Sequence, residues 1–479
     1  MSIQRRSFSA TRWTSISSFA RAGFQFAQVA ILARILSPQD YGLMALVTVV
    51  LSYTSMFSDM GLSAAFVQRQ QITQEERSGL YWLSVIVGVV LMLLVMAASP
   101  LLALLFDKPQ LVPLLVLTGT NFLVISLGQQ LRVESEKNLN FQWPALIEVI
   151  SSGIGFVVAV VTAYMGFGVY ALVVASMVTA WVALVLSWLL MSNGWRPALH
   201  FRWVEVSWFV RFGSAMVTNN MLNHITSTID LLLCGRLLPV SQLGMYSVPR
   251  NLVLQIQFLI NPIFTRVGFP LIASIQNDKE RVRQVYLKTM NNTASINAPI
   301  YIFMAVFSPE IVALLLGDKW QDSASLLRVL AIWGLFRSFG NPLGSLLFGM
   351  GRVRLSSYWN LAQLLIFSVA IWWGAMFGAA GIARVLAVLF IVMFFPAWAM
   401  LVRPVCGAKF WEYSKQVIMP SLCAVFAGLV AWLMVIIIDM AWLRFGLGVV
   451  YGFISYVLAS WTFNREFLET IIRSLRDEK

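Results

Sequence analysis

The chain contains a succession of long apolar runs that carry no acidic or basic residue. Trp82–Ala98 and Leu422–Ile438 are two examples. A membrane-spanning helix needs about 20 apolar residues, so 479 residues joined by short connections have room for about 14 spans. The strands of a lipid-facing barrel would instead alternate apolar and polar residues. Only helices and closed barrels satisfy their backbone in hydrocarbon, so the sequence predicts an all-α polytopic membrane protein.

The composition excludes several other classes of protein. Charged residues make up 11% of the chain, against about 25% in soluble domains, which excludes a soluble enzyme and a disordered chain. The three cysteines have no paired spacing, so we expect neither a disulfide framework nor a metal site. The sequence also lacks a phosphate-binding loop and a glycine-rich dinucleotide motif. We therefore predict that the protein is not an enzyme and has no catalytic residues and no cofactor.

The apolar runs and the breaks between them define the predicted helices. These are 12–36, 42–68, 79–106, 111–132, 143–165, 168–191, 208–236, 242–272, 285–316, 324–350, 355–377, 380–402, 414–438 and 441–463. The basic loop residues lie mostly on the N-terminal side, and the opposite loops hold only Lys108, Arg236, Lys319 and Arg444. Because basic loops stay in the cytoplasm, we predict that both termini are cytoplasmic. Termini on the same side require an even number of helices, and 14 fits.

The net charge of +13 belongs mostly to many short loops at the membrane surface. Dispersed cations of this kind face anionic lipid headgroups. They do not form the single basic patch that is typical of nucleic-acid binding. We therefore expect the lipid bilayer, and no nucleic acid, as the partner of these residues.

The two halves of the chain resemble each other. Ala33–Gly42 aligns without gaps with Gly235–Gly244, and Ser99–Lys108 aligns with Ser308–Lys319 after small insertions. Six helices separate the copies, so both halves enter the membrane in the same direction, as in parallel-repeat transporters. The predicted regions are an N-lobe at 1–200, a C-lobe at 201–405, and two extra helices with a cytoplasmic tail at 406–479.

Two segments resemble the N-terminal signature of a known family. They are Ala33–Gly42 and Phe57–Gln68, the second of which reads Phe-Ser-Asp-Met-Gly-Leu-Ser-Ala-Ala-Phe-Val-Gln. In these segments, and in helix count and repeat, the chain is similar to bacterial polysaccharide flippases of the Wzx type. The exopolysaccharide and colanic-acid exporter branch is the most similar. These proteins belong to the multidrug/oligosaccharidyl-lipid/polysaccharide (MOP) exporter superfamily.

The resemblance implies a transporter with two six-helix lobes around a cationic central cavity. It implies that an undecaprenyl-pyrophosphate-linked oligosaccharide moves from the cytoplasmic to the periplasmic leaflet by alternating access. Surface polysaccharide, exopolysaccharide or lipopolysaccharide synthesis would use this step. The coupling ion would be H⁺ or Na⁺, and partners would include a polysaccharide polymerase and co-assembly proteins.

Several arginines lie within predicted helices, where a charge is costly unless it faces water or a partner. The five that we predict to bind substrate in a cationic cavity are Arg21, Arg250, Arg266, Arg337 and Arg384. Guanidinium groups match phosphate oxygens bidentately, which suits a pyrophosphate headgroup. We expect Glu148, by contrast, to pair with Arg132 or Lys137 at the membrane interface.

A second set of polar residues is predicted to line the cavity or to couple transport to an ion gradient. It comprises Gln25, Asp59, Asn220, His224 and Asp230. Asp59 could pair with Arg21, carry a coupling proton, or cap a kink near Gly61. The unperturbed pKa of a histidine side chain lies in the physiological range, so His224 could carry a proton, or it could make a hydrogen bond within the bundle.

Three other functions compete with a flippase. A drug or metabolite antiporter on the same fold would have a cavity richer in acids than in bases. A membrane glycosyltransferase or polymerase would need more surface outside the bilayer than the short loops provide. A scaffold in polymer assembly would not need dense charge within the membrane.

Overall fold

The computed structural model describes residues 3–59, 61–69 and 71–469, apart from the side chains of 3–11, 15, 212–220, 262–264 and 266–267. Every regular element in these ranges is helical. The α-helices are α1 Ile3–Ile35, α2 Pro38–Asp59, α3 Leu62–Gln68, α4 Gln74–Phe106, α5 Leu111–Gly119, α6 Asn121–Lys137, α7 Gln142–Tyr164, α8 Val169–Met191, α9 Trp203–Leu237, α10 Val240–Ser274, α11 Lys279–Val306, α12 Ser308–Leu315, α13 Ser323–Ser338, α14 Asn341–Gly349, α15 Val353–Ala375, α16 Gly378–Ala397, α17 Arg403–Cys406, α18 Phe410–Val435 and α19 Ala441–Phe463.

The predicted all-helical membrane fold is confirmed. Within the described ranges, nine helices are long and apolar enough to cross a membrane, and ten if one bent pair is a single span. Helices α1, α9 and α10 have 33, 35 and 35 residues. They are also long enough to span the bilayer. The number fourteen is consistent with this fold and stays a prediction.

Several predicted spans are broken in the structure. The predicted helix 285–316 bends by 76° between α11 and α12, because Pro309 starts a new helix at a position where its missing N–H is not needed. The matching Pro100 in the first half lies inside the continuous α4. A glycine with φ of 70°, Gly61, separates α2 from α3. Such a left-handed conformation is readily adopted by glycine.

The chain forms two compact units, Met1–Gly244 and Met245–Lys479. In the first, α1 and α8 pack on α7, α4 packs on α5 and α6, and α2 packs on α9. Its core includes Leu32, Ala171, Leu80 and Phe209. The predicted regions 1–200, 201–405 and 406–479 follow the repeat and stay a prediction.

In the second unit, α11 is the central helix. It packs on α13 and α18, while α16 packs on both α13 and α15. The last two helices, α18 and α19, pack on each other and belong to this unit. A buried network joins α11 to the end of α19: the Asn291 amide donates to Asn464 Oδ1 at 3.2 Å, and the Asn464 amide donates to Ser295 Oγ at 2.8 Å.

Candidate functional site: polar clusters within the two units

An ion pair joins α1 to α7 in the first unit. Arg21 Nη1 lies 2.7 Å from Glu148 Oε1, and the two side chains are 52% and 28% exposed. Glu148 is six residues into α7, about 9 Å from its start at 1.5 Å per residue. Exposed charges at this depth are costly in hydrocarbon, so we expect the pair to face water or polar groups and not acyl chains. Gln25, one turn further along α1, is also exposed.

The prediction that Glu148 pairs with Arg132 or Lys137 at the membrane interface is wrong. Arg132 instead pairs with Glu136 one turn along α6, at 3.1 Å. Lys137 donates to the carbonyl of Arg69 at 2.6 Å. Because both basic side chains near the end of α6 have these other partners, Glu148 pairs with Arg21 instead.

Asp59 caps the break between α2 and α3. Its Oδ1 accepts hydrogen bonds from the Ser63 backbone N–H at 3.1 Å, from the Ser63 hydroxyl, and from Gln129 Nε2 at 2.6 Å. These donors satisfy the carboxylate inside its own unit. Of the roles that the sequence allowed for Asp59, the pair with Arg21 is not formed and the cap near Gly61 is formed.

His224 lies in a small hydrogen-bonded cluster between α9 and α2. One ring nitrogen, Nε2, is 3.1 Å from Ser52 Oγ. The edge of the Tyr53 ring meets the imidazole at 5.3 Å, and Tyr53 Oη lies 2.8 Å from Thr228 Oγ1. This arrangement is the hydrogen bond within the bundle that the sequence offered as one reading of His224.

A cationic cluster lies in the second unit, centred on Trp333. The guanidinium carbons of Arg250 and Arg337 lie 5.9 and 5.3 Å from the centre of one indole ring. Arg250 is 3% exposed. Arg337 Nε donates to Gln257 Oε1 at 3.2 Å, and Gln257 Nε2 donates to the carbonyl of Gly334 at 2.9 Å. The aromatic face attracts the cations, and the Gln257 amide fixes the plane of the Arg337 guanidinium.

This cluster is rich in hydrogen-bond donors. Within the described part of the chain, Trp333 Nε1 and Asn341 Nδ2 are buried without an acceptor. Asn341 is the first residue of α14, four positions after Arg337 in the sequence. Since a buried donor without an acceptor is costly, the cluster favours a ligand that accepts hydrogen bonds, such as a phosphate oxygen.

The other predicted site residues have different surroundings. Arg384 is exposed on α16. In the described residues it makes no hydrogen bond, ion pair or ring contact with the cluster of Arg250, Arg337 and Trp333. Asp230 is buried at 4% exposure on α9. The side chains of Arg266 and Asn220 lie outside the described residues. The roles of all ten predicted residues in binding or coupling stay predictions.

Sequence reasoning missed Trp333 and underrated Glu148. An aromatic residue one turn before Arg337 is a visible signal for a cation–π contact, since residues four apart share a helix face. No comparable signal links Glu148 to Arg21, because 127 residues separate them.

Comparisons with known proteins identify relatives of this chain. A family profile described as "Polysaccharide biosynthesis protein" matches residues 31–325. The lipopolysaccharide biosynthesis protein WzxC of Escherichia coli (strain K12) is 30% identical over 421 residues, covering 88% of this chain and 86% of WzxC. The teichuronic acid biosynthesis protein TuaB of Bacillus subtilis (strain 168) is 28% identical over 433 residues, covering 90% and 89%.

Among the solved structures that share the fold is that of a lipid II flippase. The lipid II flippase MurJ, in an inward closed conformation, superposes with a TM-score of 0.75. The match covers 95% of this chain and 99% of the MurJ chain at 14% identity. At this identity the likeness shows a common fold.

Proposed function

Because the chain belongs to the polysaccharide biosynthesis protein family, we propose that this multi-pass membrane protein is a flippase for a lipid-linked oligosaccharide. It moves an undecaprenyl-pyrophosphate-linked sugar unit from the cytoplasmic to the periplasmic leaflet of the bacterial inner membrane by alternating access. Both termini are cytoplasmic in this proposal, and the protein has no catalytic step of its own. The names of its relatives support a role in surface polysaccharide synthesis.

The observation that carries the proposal is the Arg250–Trp333–Arg337 cluster. Two guanidinium groups lie within 6 Å of the centre of one indole ring, so two positive charges are brought close together at this point of the second unit. Guanidinium forks bind the oxygens of phosphate groups bidentately, and the pyrophosphate is the anionic part of the proposed substrate. An organic-cation antiporter on the same fold would need acidic residues in this place, which makes it the weaker alternative.

The test is deletion of the gene followed by complementation. The deletion strain should lose surface polymer and accumulate the lipid-linked intermediate on the cytoplasmic side. Complementation with Arg337→Ala should restore polymer poorly, whereas the matched control Arg132→Ala should restore it fully, since Arg132 forms only an exposed pair with Glu136. Normal polymer in the deletion strain, or accumulation of a drug in place of the intermediate, would overturn the proposal.

We propose that transport is coupled to H⁺ or Na⁺, and that Asp59 and His224 are the residues to test. Asp59 lines a small recess of the first unit together with Ser63, Gln129 and Gln130. The buried Gln130 Nε2 has no partner in the described residues. The recess therefore offers a hydrogen-bond donor in addition to the groups that Asp59 already binds. Asp59→Asn keeps the size of the side chain and removes its charge. Export that still responds to the ion gradient in this variant would exclude Asp59 from coupling.

We also propose that the flipped substrate passes to a polysaccharide polymerase and its co-assembly proteins. This follows from the direction of transport, because the sugar units reach the periplasmic leaflet one at a time. Crosslinking in membranes from the producing strain would test for the association.

A further inference from the structure

We propose that Glu75, His200 and Glu205 form a binding site for a divalent transition metal ion such as Zn²⁺. One ligand atom of each residue lies within 4.8 Å of those of the other two. His200 Nε2 lies 2.9 Å from one oxygen of Glu205 and 3.1 Å from the other. All three residues belong to the first compact unit. Glu75 is at the start of α4, His200 is in the segment between α8 and α9, and Glu205 is in the first turn of α9.

The backbone around these residues is held in place by side chains of α4. Trp82 Nε1 donates to the carbonyl of Ala198 at 2.8 Å, and the Ala198 N–H donates to Ser78 Oγ at 3.2 Å. Trp195 Nε1 donates to Gln74 Oε1 at 3.1 Å. These bonds attach the connecting segment to the first turns of α4, so Glu75 and His200 approach each other from fixed positions. A metal site needs this kind of support around its ligands.

The charges at the cluster favour a cation. In the described part of the chain, no arginine or lysine forms an ion pair with Glu75 or Glu205. The neighbouring carboxylates are neutralised, because Arg69 pairs with Glu76 at 2.7 Å and Arg77 pairs with Glu134. Two carboxylates and one imidazole are thus left together at the surface, where an ion from the cytoplasm would reach them.

The ligand atoms indicate which cation. Imidazole nitrogen with carboxylate oxygen suits Zn²⁺ and related transition metals, whereas Mg²⁺ and Ca²⁺ prefer oxygen alone. Metal bonds of about 2.0–2.2 Å bring ligands closer together than 4.8 Å, so the exposed Glu75 side chain would move inward by a small rotation. A bound ion would tie the α8–α9 connection to α4.

The experiment measures metal binding directly. The full-length chain is purified in detergent, its tag is removed, and Zn²⁺ is titrated in competition with a chromophoric chelator. We expect one Zn²⁺ per chain, no competition from excess Mg²⁺, and at least about tenfold weaker binding in His200→Ala, a loss of about 1.4 kcal/mol. Glu75→Gln and Glu205→Gln should also weaken binding.

The control is Glu136→Gln, which changes another glutamate of the same unit that pairs with Arg132 and should bind Zn²⁺ like the unaltered protein. Unchanged thermal unfolding of each variant without metal shows that it is folded. The proposal is overturned if the unaltered chain binds no stoichiometric Zn²⁺, or if His200→Ala binds it equally well. Metal binding is the readout, so its failure would say nothing against the flippase function.

Discussion

Gly42 and Gly244 occupy matching positions in the two sequence repeats, and each packs on the backbone of the other repeat. A Cβ atom on Gly42 would overlap the carbonyl oxygen of Val240, and one on Gly244 would overlap that of Pro38. Val240 and Pro38 also match each other, since each comes four residues before its glycine. The contact is therefore reciprocal, and it explains why both repeats end this segment in glycine.

We expect Gly42→Ala and Gly244→Ala each to destabilise the protein by about 1–3 kcal/mol, because the clashing atoms are backbone and cannot rotate away. The measurement is the midpoint of thermal unfolding in detergent. Gly446→Ala is the matched control, since a Cβ there meets no atom within 4 Å. Its midpoint should stay the same or rise, because alanine favours a helix. Equal midpoints for all three variants would contradict the observed packing.

The Arg21–Glu148 pair predicts a charge-specific effect on export. Glu148→Gln leaves Arg21 without its carboxylate, so polymer export should fall severalfold. The exchanged pair Arg21→Glu with Glu148→Arg restores opposite charges and should recover more export than Arg21→Glu alone. Surface polymer per cell is the measurement, with membrane levels of each variant as the control. If the exchanged pair exports no more than the single variant, the attraction between the two charges is not what matters.

The Trp333 cluster predicts that the shape of Arg337 matters as well as its charge. Arg337→Ala should weaken binding of a prenyl pyrophosphate by about 1.5–3 kcal/mol, which is about tenfold to a hundredfold. Arg337→Lys keeps the charge but loses the planar fork, so it should recover only part of the binding. Binding is measured with undecaprenyl pyrophosphate and the detergent-purified chain.

The matched control for that measurement is Arg132→Ala, which removes an exposed arginine from the first unit and should bind like the unaltered protein. Full binding by Arg337→Ala would remove the cluster from the substrate site. Full binding by Arg337→Lys would show that charge alone suffices.

The buried amide network predicts how the end of α19 is held. Asn464→Ala removes the acceptor of the Asn291 amide and the donor to the Ser295 hydroxyl oxygen, which should cost about 1–2 kcal/mol. The unfolding midpoint should fall, while Asn138→Ala, an exposed asparagine, should leave it unchanged. A midpoint equal to that of the unaltered protein would mean that water replaces the lost amide.

The helices and their membrane character could be predicted because both depend on local sequence. Apolar runs such as Leu422–Ile438 must form helices in hydrocarbon, where each backbone group needs an internal partner. Breaks were harder to predict. The same Ser-Pro pair lies inside a continuous helix at Pro100 and begins a new helix, after a bend, at Pro309. Proline allows both arrangements, and the surrounding packing selects one of them.

The sequence by itself determined an all-helical membrane chain with a repeat and with arginines inside its spans. Only the tertiary structure decided the partners of its polar groups: Glu148 for Arg21, Gln129 for Asp59, and Trp333 for Arg250. The physical reason is that each partner lies on another helix or across a break. The packing of the whole unit sets the rotation of one helix against the next, and it brings together side chains that lie as many as 127 residues apart.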